Sequence, residues 1–205
     1  MSDIRRTLEA VRDRLNEVLG TVDQRPEGMV VLANVVAPDG QPYDGAKDML
    51  VMFLANVQRE IVVSTYNRTT PVSDNKYAVV APPLYIDLFV LFYANFYDKR
   101  YSEGLSILTR TISFFQRNLW FTHENLPGLP PSIDKLTFEL TNLELTDLNY
   151  LMGLVGVKYL PSVYYKVRML PFASDAMQAQ VPAAQGLQTP AAPSEPTGDD
   201  GTPPA

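Results

Sequence analysis

The feature that most limits what this chain can become is an apolar run, Leu84–Phe96, entered directly from Pro82–Pro83. Nearly every position in it is aliphatic or aromatic, so periodicity cannot separate helix from strand. A bilayer-spanning helix needs about 20 apolar residues. This run is shorter than that, and Asp87 and Asn95 lie inside it. Residue type favours a strand, because Tyr85, Ile86, Phe89, Val90, Phe92 and Tyr93 are β-branched or aromatic. In a strand, Leu84, Ile86, Leu88, Val90 and Phe92 point one way, and Tyr85, Phe89, Leu91 and Tyr93 the other. Both faces are then apolar, and both must be covered. The run is expected to be the central strand of a sheet, with helices on at least one side.

The flanking sequence supplies the other layers. Ile4, Leu8, Val11, Leu15 and Val18/Leu19 recur at helical spacing opposite Arg5, Glu9, Arg12, Asp13 and Glu17, which predicts an amphipathic helix from a Ser2 cap to a Gly20 stop. Gly28–Ala37 and Met49–Arg68 read as strands, the second either bent or broken near Gln58–Glu60. Thr69–Pro83 reads mostly as loop. Ser102–Trp120 has helical spacing, Lys135–Leu143 alternates, and Leu145–Val155 reads as a short helix ending at Gly156. Pro161–Phe172 alternates again, Val163, Tyr165, Val167 and Met169 against Tyr164, Lys166 and Arg168. The expected fold class is α+β: a mixed, largely antiparallel sheet packed with an N-terminal helix and two further helices, plus a disordered C-terminal tail.

The tail is set apart by composition. Residues 173–205 hold no aromatic, six prolines and only the charges Asp175, Glu195, Asp199 and Asp200. Such a segment buries too little apolar area to offset its ordering entropy. The chain is therefore divided into a body, 1–172, and an Ala/Pro-rich acidic tail, 173–205.

Function classes fall away in turn. The chain has no cysteine, which removes thiol chemistry and Cys-based metal sites. Its net charge of −6 argues against a phosphate-backbone binder. The N-terminus lacks the apolar core and cleavage site of a signal peptide, so a cytoplasmic location is expected. His123 is the only histidine, and with Glu124 beside it in a loop it defines no geometry. Asp87 could be an acid of shifted pKa, but a buried ion pair is the commoner role for such a residue. No catalytic, cofactor-binding or metal-binding residue is assigned. Tyr164, Lys166 and Arg168, on one face of the last strand, are read either as a solvated, charge-blunted edge or as part of an interface.

Two stretches resemble a known family. One is "PPLYIDLFVLFYANF" followed by Tyr-Ser-Glu-Gly-Leu-x-x-Leu-x-Arg-x-Ile-x-Phe-Phe. The other is "LTFELTNLELTDLNYLMGLVGVKYLPSVYYKVRMLPF", with its Gly-x-x-Tyr-x-Pro-Ser-x-x-Tyr core. Both are similar to the cap, or tail-terminator, proteins of phage-tail-like contractile injection systems, and the likeness spans residues 1–172. The segment "TTPVSDNKYAVVA" is longer than in many relatives, and the tail matches no family element. The resemblance implies a non-enzymatic structural protein without cofactors. It implies a homo-oligomeric ring, expected to be a hexamer, on the distal end of inner tube and sheath, where it stops elongation and couples the two. Its partners would be its own copies and the sheath and tube proteins, with no nucleic acid and no membrane span. The particle could be released from the cell or anchored. The last strand, or the second, is expected to offer a sheet edge to a sheath strand. The alternatives are a baseplate adaptor of the same kind of particle, or an acid–base enzyme using Asp87, His123 and Glu124.

Overall fold

The computed structural model describes residues 4–23, 28–34, 36–37, 39–60, 68–73, 76–80, 84–157, 159–172 and 177–182. The apolar run is a strand, β5 (Leu84–Asn95), inside a six-stranded sheet. With β1 (Val30–Leu32), β2 (Met49–Arg59), β6 (Trp120–Phe121), β7 (Leu136–Leu140) and β8 (Ser162–Phe172), the order across the sheet is β1-β2-β5-β8-β7-β6. Only β1 and β2 run parallel; the registered pairs β2–β5, β5–β8, β7–β8 and β6–β7 are antiparallel. The fold is α+β with a mixed, mainly antiparallel sheet, as expected.

Both faces of β5 are covered, by different partners. Helices α1 (Ile4–Asp23) and α2 (Tyr101–Arg117) bury Leu88, Val90, Phe92 and Ala94 in the main core. Phe115 of α2 sits at its centre, stacked 4.4 Å from Phe138 and 4.7 Å from Tyr165. The opposite face is covered by α3 (Leu145–Val155), where Met152 and Leu160 enclose Leu91, Tyr93 and Val51 in a second cluster. Gly104 lets α2 lie close on the sheet, since a Cβ there would meet Phe96 at 3.0 Å. Helix α1 is tied to β1 by Asn16, whose Nδ2 donates to Val30 O and whose Oδ1 accepts from the Met29 and Val30 amides.

Several local expectations differ from the structure. Helix α1 continues through Gly20 to Asp23. Glycine weakens a helix but keeps its N–H donor, so it does not break the ladder as proline does. The Ser2 cap lies outside the described residues. Within Gly28–Ala37 only Val30–Leu32 forms a strand, followed by an isolated Val36–Pro42 bridge. The long segment after Met49 ends as a strand at Arg59, and Ile61–Asn67 lies outside the described residues. The stretch read as loop, Thr69–Pro83, largely pairs as β3 (Arg68–Ser73) and β4 (Lys76–Val80). Pro71 disguised the first of these, but proline is tolerated on an edge strand, and β3 pairs only with β4.

A further strand, β9 (Met177–Pro182), pairs with β4 and lies within the segment that composition set apart as tail. Backbone hydrogen bonding needs no large side chains, which composition cannot register. Residues 183–205 lie outside the described ones. The smaller sheet, β3-β4-β9, repeats the order of the central strands β2-β5-β8. Each of its strands joins its counterpart in sequence, and all three junctions lie at the same end of the main sheet. The register shows this, pairing Arg59 with Ile86 and Leu84 with Phe172.

Candidate interaction surface

Strand β8 carries Tyr164, Lys166 and Arg168 on the face of the sheet that α3 shares. The strand is not an edge: it lies between β5 and β7, and β2 likewise lies between β1 and β5. Neither offers the free edge expected of it; among the described strands, β1 and β6 close the main sheet and β3 and β9 close the small one. The two cations instead meet carboxylates inside the sheet face. Lys166 Nζ lies 2.9 Å from Asp87 Oδ2 and 3.9 Å from Glu60 Oε2. Arg168 donates from Nη2 and Nε to Glu60 Oε2 at 2.8 and 3.0 Å, and from Nη1 to Glu139 Oε1 at 3.0 Å. The ladder is irregular at this point: two residues of β5, Ile86 and Leu88, face Leu170 and Val167, three apart on β8. The bulge brings Arg168 beside Asp87.

Burial of Asp87 raises its pKa, an effect that the Lys166 ammonium opposes and the Glu60 carboxylate reinforces. Asp87 Oδ1 has no hydrogen-bond partner in the structure. Arg168 is held charged, first by its bond to Glu139 and then by Glu60. Lys166 and Arg168 keep about 26% and 28% side-chain exposure, so the cluster reaches the surface at its cationic end. Tyr164 stacks on Phe89 with ring centroids 5.7 Å apart. Sequence brought these three residues to one face correctly but could not supply their partners. Glu60 is 108 residues away from Arg168, and nothing local announces that pairing.

The most exposed apolar surface lies elsewhere, on α3. Its inner side, Leu148, Leu151, Met152 and Val155, packs in the second cluster. Leu145, its first residue, is 78% exposed, and the side away from the cluster carries Tyr150 at 67% and Leu154 at 85%, with Tyr159 beyond it at 66%. Asp147 is the one charged residue in the helix. Helix α1 shows the contrast, with Arg5, Arg6, Asp13 and Glu17 on its outer face. At about 150–250 Å² per large side chain, the four exposed residues present on the order of 500 Å². That total, shared between the start and the far side of the helix, is comparable to the biggest apolar patch of a typical monomer. Gly153 is also on the helix, and a Cβ there would meet nothing within 4 Å among the described residues. Glycine costs a helix interior about 1 kcal/mol against alanine, and no contact within the described chain demands it.

His123 and Glu124 are exposed in the turn after β6, in a different part of the chain from the Asp87 cluster. Among the described residues, no group of three or more His, Asp or Glu is placed to hold a metal ion. No helix among them is long and apolar enough to cross a membrane.

Comparison with known proteins bears on these surfaces. The profile of a family described as the Pvc16 N-terminal domain matches residues 6–185, a range that takes in β9. Among solved structures, the chain resembles the PVC sheath/tube terminator of an extracellular contractile injection system in its extended state. The TM-score is 0.62 at 13% identity, over 95% of this chain and 65% of that one. It also resembles the tube-terminating cap of the anti-feeding prophage, with a TM-score of 0.51 at 13% identity, over 87% of this chain and 59% of that one. The chain thus spans less than two thirds of the length of either. No curated protein matches it.

Proposed function

The chain belongs to the Pvc16 N-terminal domain family, and from that membership we propose that it is a structural cap that ends the inner tube and sheath of a contractile injection particle. The observation that carries the proposal is the fold shared over 95% of its length with a sheath/tube terminator. The outer side of α3, with Asp147 as its one charge, supports it, since a protein that works by contact needs an apolar surface left open for a partner. The cap works as a closed ring, of six copies, and a ring requires two different patches of each subunit to meet. The outer side of α3 is one of them. The edges of the small sheet, β3 and β9, take the role expected of β8 and β2 in pairing with a sheath strand. Tyr164, Lys166 and Arg168 border the contact region, while their charges are held within the sheet. The domain acts without catalysis: Asp87, a carboxyl whose pKa burial raises, is paired with Lys166. The Ala/Pro-rich segment after the body is an appendage to this cap, and assembly proceeds in the cytoplasm before any release of the particle.

The test is particle assembly with Leu145→Glu and Leu154→Glu together. Both side chains are exposed, so the chain should fold, while negative-stain images should show tubes of irregular length. Particles of normal length and normal cap density would overturn the role of α3. Failure to nucleate any particle when the chain is removed would transfer it to the baseplate.

A further inference from the structure

We propose that the seam between α1 and α2 is a docking groove for an acidic segment of the same chain, residues 183–205. The seam encloses a cavity of about 220 Å³. Val18, Leu19 and Phe114 form its apolar part, and Arg14, Arg110 and Arg117 line it. Three guanidiniums gather there in a chain whose net charge is −6. Arg14 pairs with Glu17, and Arg117 Nε donates to Ser113 O at 3.2 Å. Each guanidinium carries five N–H donors in a planar fork, so one contact does not exhaust it, and its geometry suits carboxylates. The end of α2 would ordinarily repel an anion. Here two carbonyls near that end are already occupied, Ser113 O by Arg117 and Phe114 O by the Asn118 amide and Nδ2.

The chemistry of the groove selects its occupant. Glu9, Asp13 and Glu17 interrupt the positive charge along α1, so no extended basic face exists for a phosphate backbone. A short peptide with separated carboxylates and apolar residues fits better. Residues 183–205 carry Glu195, Asp199 and Asp200, no Lys or Arg, and Leu187 among alanines and prolines. The thirteen residues that follow Pro182, up to Glu195, can span up to about 45 Å. A compact body of this size is about 40 Å across, so the reach of this tether is comparable to the width of the body. Tethering also raises the local concentration of the segment, which lets a weak contact persist.

The chain has no cysteine, so Thr197→Cys gives a single attachment point for a nitroxide on the full-length protein. Paramagnetic broadening should concentrate at the amides of Val18, Phe114 and Asn118, severalfold above that at Thr137 on β7. It should fade as salt rises from about 0.05 to 0.5 M, because the Debye length shrinks several-fold. It should also fade in Arg110→Gln with Arg117→Gln, and in Glu195→Gln with Asp199→Asn and Asp200→Asn. The last variant changes nothing in the body, so a folding defect cannot mimic its effect. Uniform broadening, or broadening that survives neutralisation of the acids, overturns the proposal. So does broadening in a mixture where the nitroxide and the isotope label sit on different molecules, which would assign the segment to another copy. None of these readouts depends on capping.

Discussion

Replacing Lys166 with methionine isolates the electrostatic role of the cluster on β8. The substitution keeps an unbranched stem over Phe89 and removes the ammonium that lies 2.9 Å from Asp87. Breaking a buried ion pair by removing one partner costs about 3–5 kcal/mol, and the partial exposure of Lys166 places this case at or below the low end. A ceiling follows from protonation. At pH 7 Asp87 can always take up a proton, at about 1.36 kcal/mol for each unit above its ordinary pKa of 3.8, or roughly 4 kcal/mol in all. The expected loss at pH 7 is therefore about 2–4 kcal/mol. Its pH dependence is the sharper test. Burial already raises the Asp87 pKa, and losing Lys166 raises it further. A carboxyl with a raised folded pKa binds more protons folded than unfolded between the two values, so its contribution is full below pH 3.8 and is lost as pH rises through the folded value. The difference between wild type and Lys166→Met should shrink below about 1 kcal/mol near pH 4 and grow by at most about 1.4 kcal/mol per unit above it. Urea unfolding at several pH values measures this directly. A difference that is flat with pH, or largest in acid, refutes the assignment. Adding Asp87→Leu to the variant should recover most of the loss at pH 7, because an apolar pair can replace a buried ionic one.

Other expectations follow from packing and burial. Gly104→Ala should destabilise by about 1–3 kcal/mol despite alanine's better helix propensity, because its Cβ meets Phe96 and Ala94 within 3.2 Å; a denaturation midpoint checks it. Gly153→Ala should instead stabilise the isolated chain by up to about 1 kcal/mol, having open space around it. Phe115→Ala, which removes the ring shared by Phe92, Phe138 and Tyr165, should cost about 3–5 kcal/mol in the same assay. Tyr165 is pushed up to about 12 by burial, so stability should fall as pH rises from 10 toward 12, followed by its phenolate absorbance.

What could be read from the sequence was whatever burial on a regular period dictates. The central strand β5 was legible because apolar residues on both faces admit few other structures once length excludes a membrane helix. The last strand was legible through its alternation, although its polar face pointed to solvent only on paper. Lys166 and Arg168 look like surface charges until Asp87, Glu60 and Glu139 arrive from β5, the end of β2 and β7. The hairpin β3–β4 was missed because Pro71 and a run of small polar residues carry turn signals, while strand pairing on an edge needs only backbone. Helix α3 was foreseen as a helix, but its outer surface was not. Four leucines, Tyr150, Met152 and Val155 occur around most of its circumference, which ordinarily signals a helix buried on all sides. Only the tertiary structure shows that Tyr150 and Leu154 are left exposed.

That unfinished side has a physical consequence for how the domain can work. The two faces of β5 are filled from within the chain, by α1 and α2 on one side and by α3 on the other. Any partner must therefore meet the outer surfaces of the helices or the ends and edges of the sheets. Helix α1 is dressed with charges of both signs, which suits water and resists non-specific contact. Helix α3 has Asp147 alone, and leaving Leu145 and Leu154 in water forfeits about 1.5–3 kcal/mol each that burial would return. Next to β2, β5 and β8 in sequence stand β3, β4 and β9, a second sheet with the same strand order whose outer strands, β3 and β9, are edges among the described strands. An open apolar helix together with open sheet edges is a costly design for a solitary domain. It is an economical one for a subunit whose neighbours complete it.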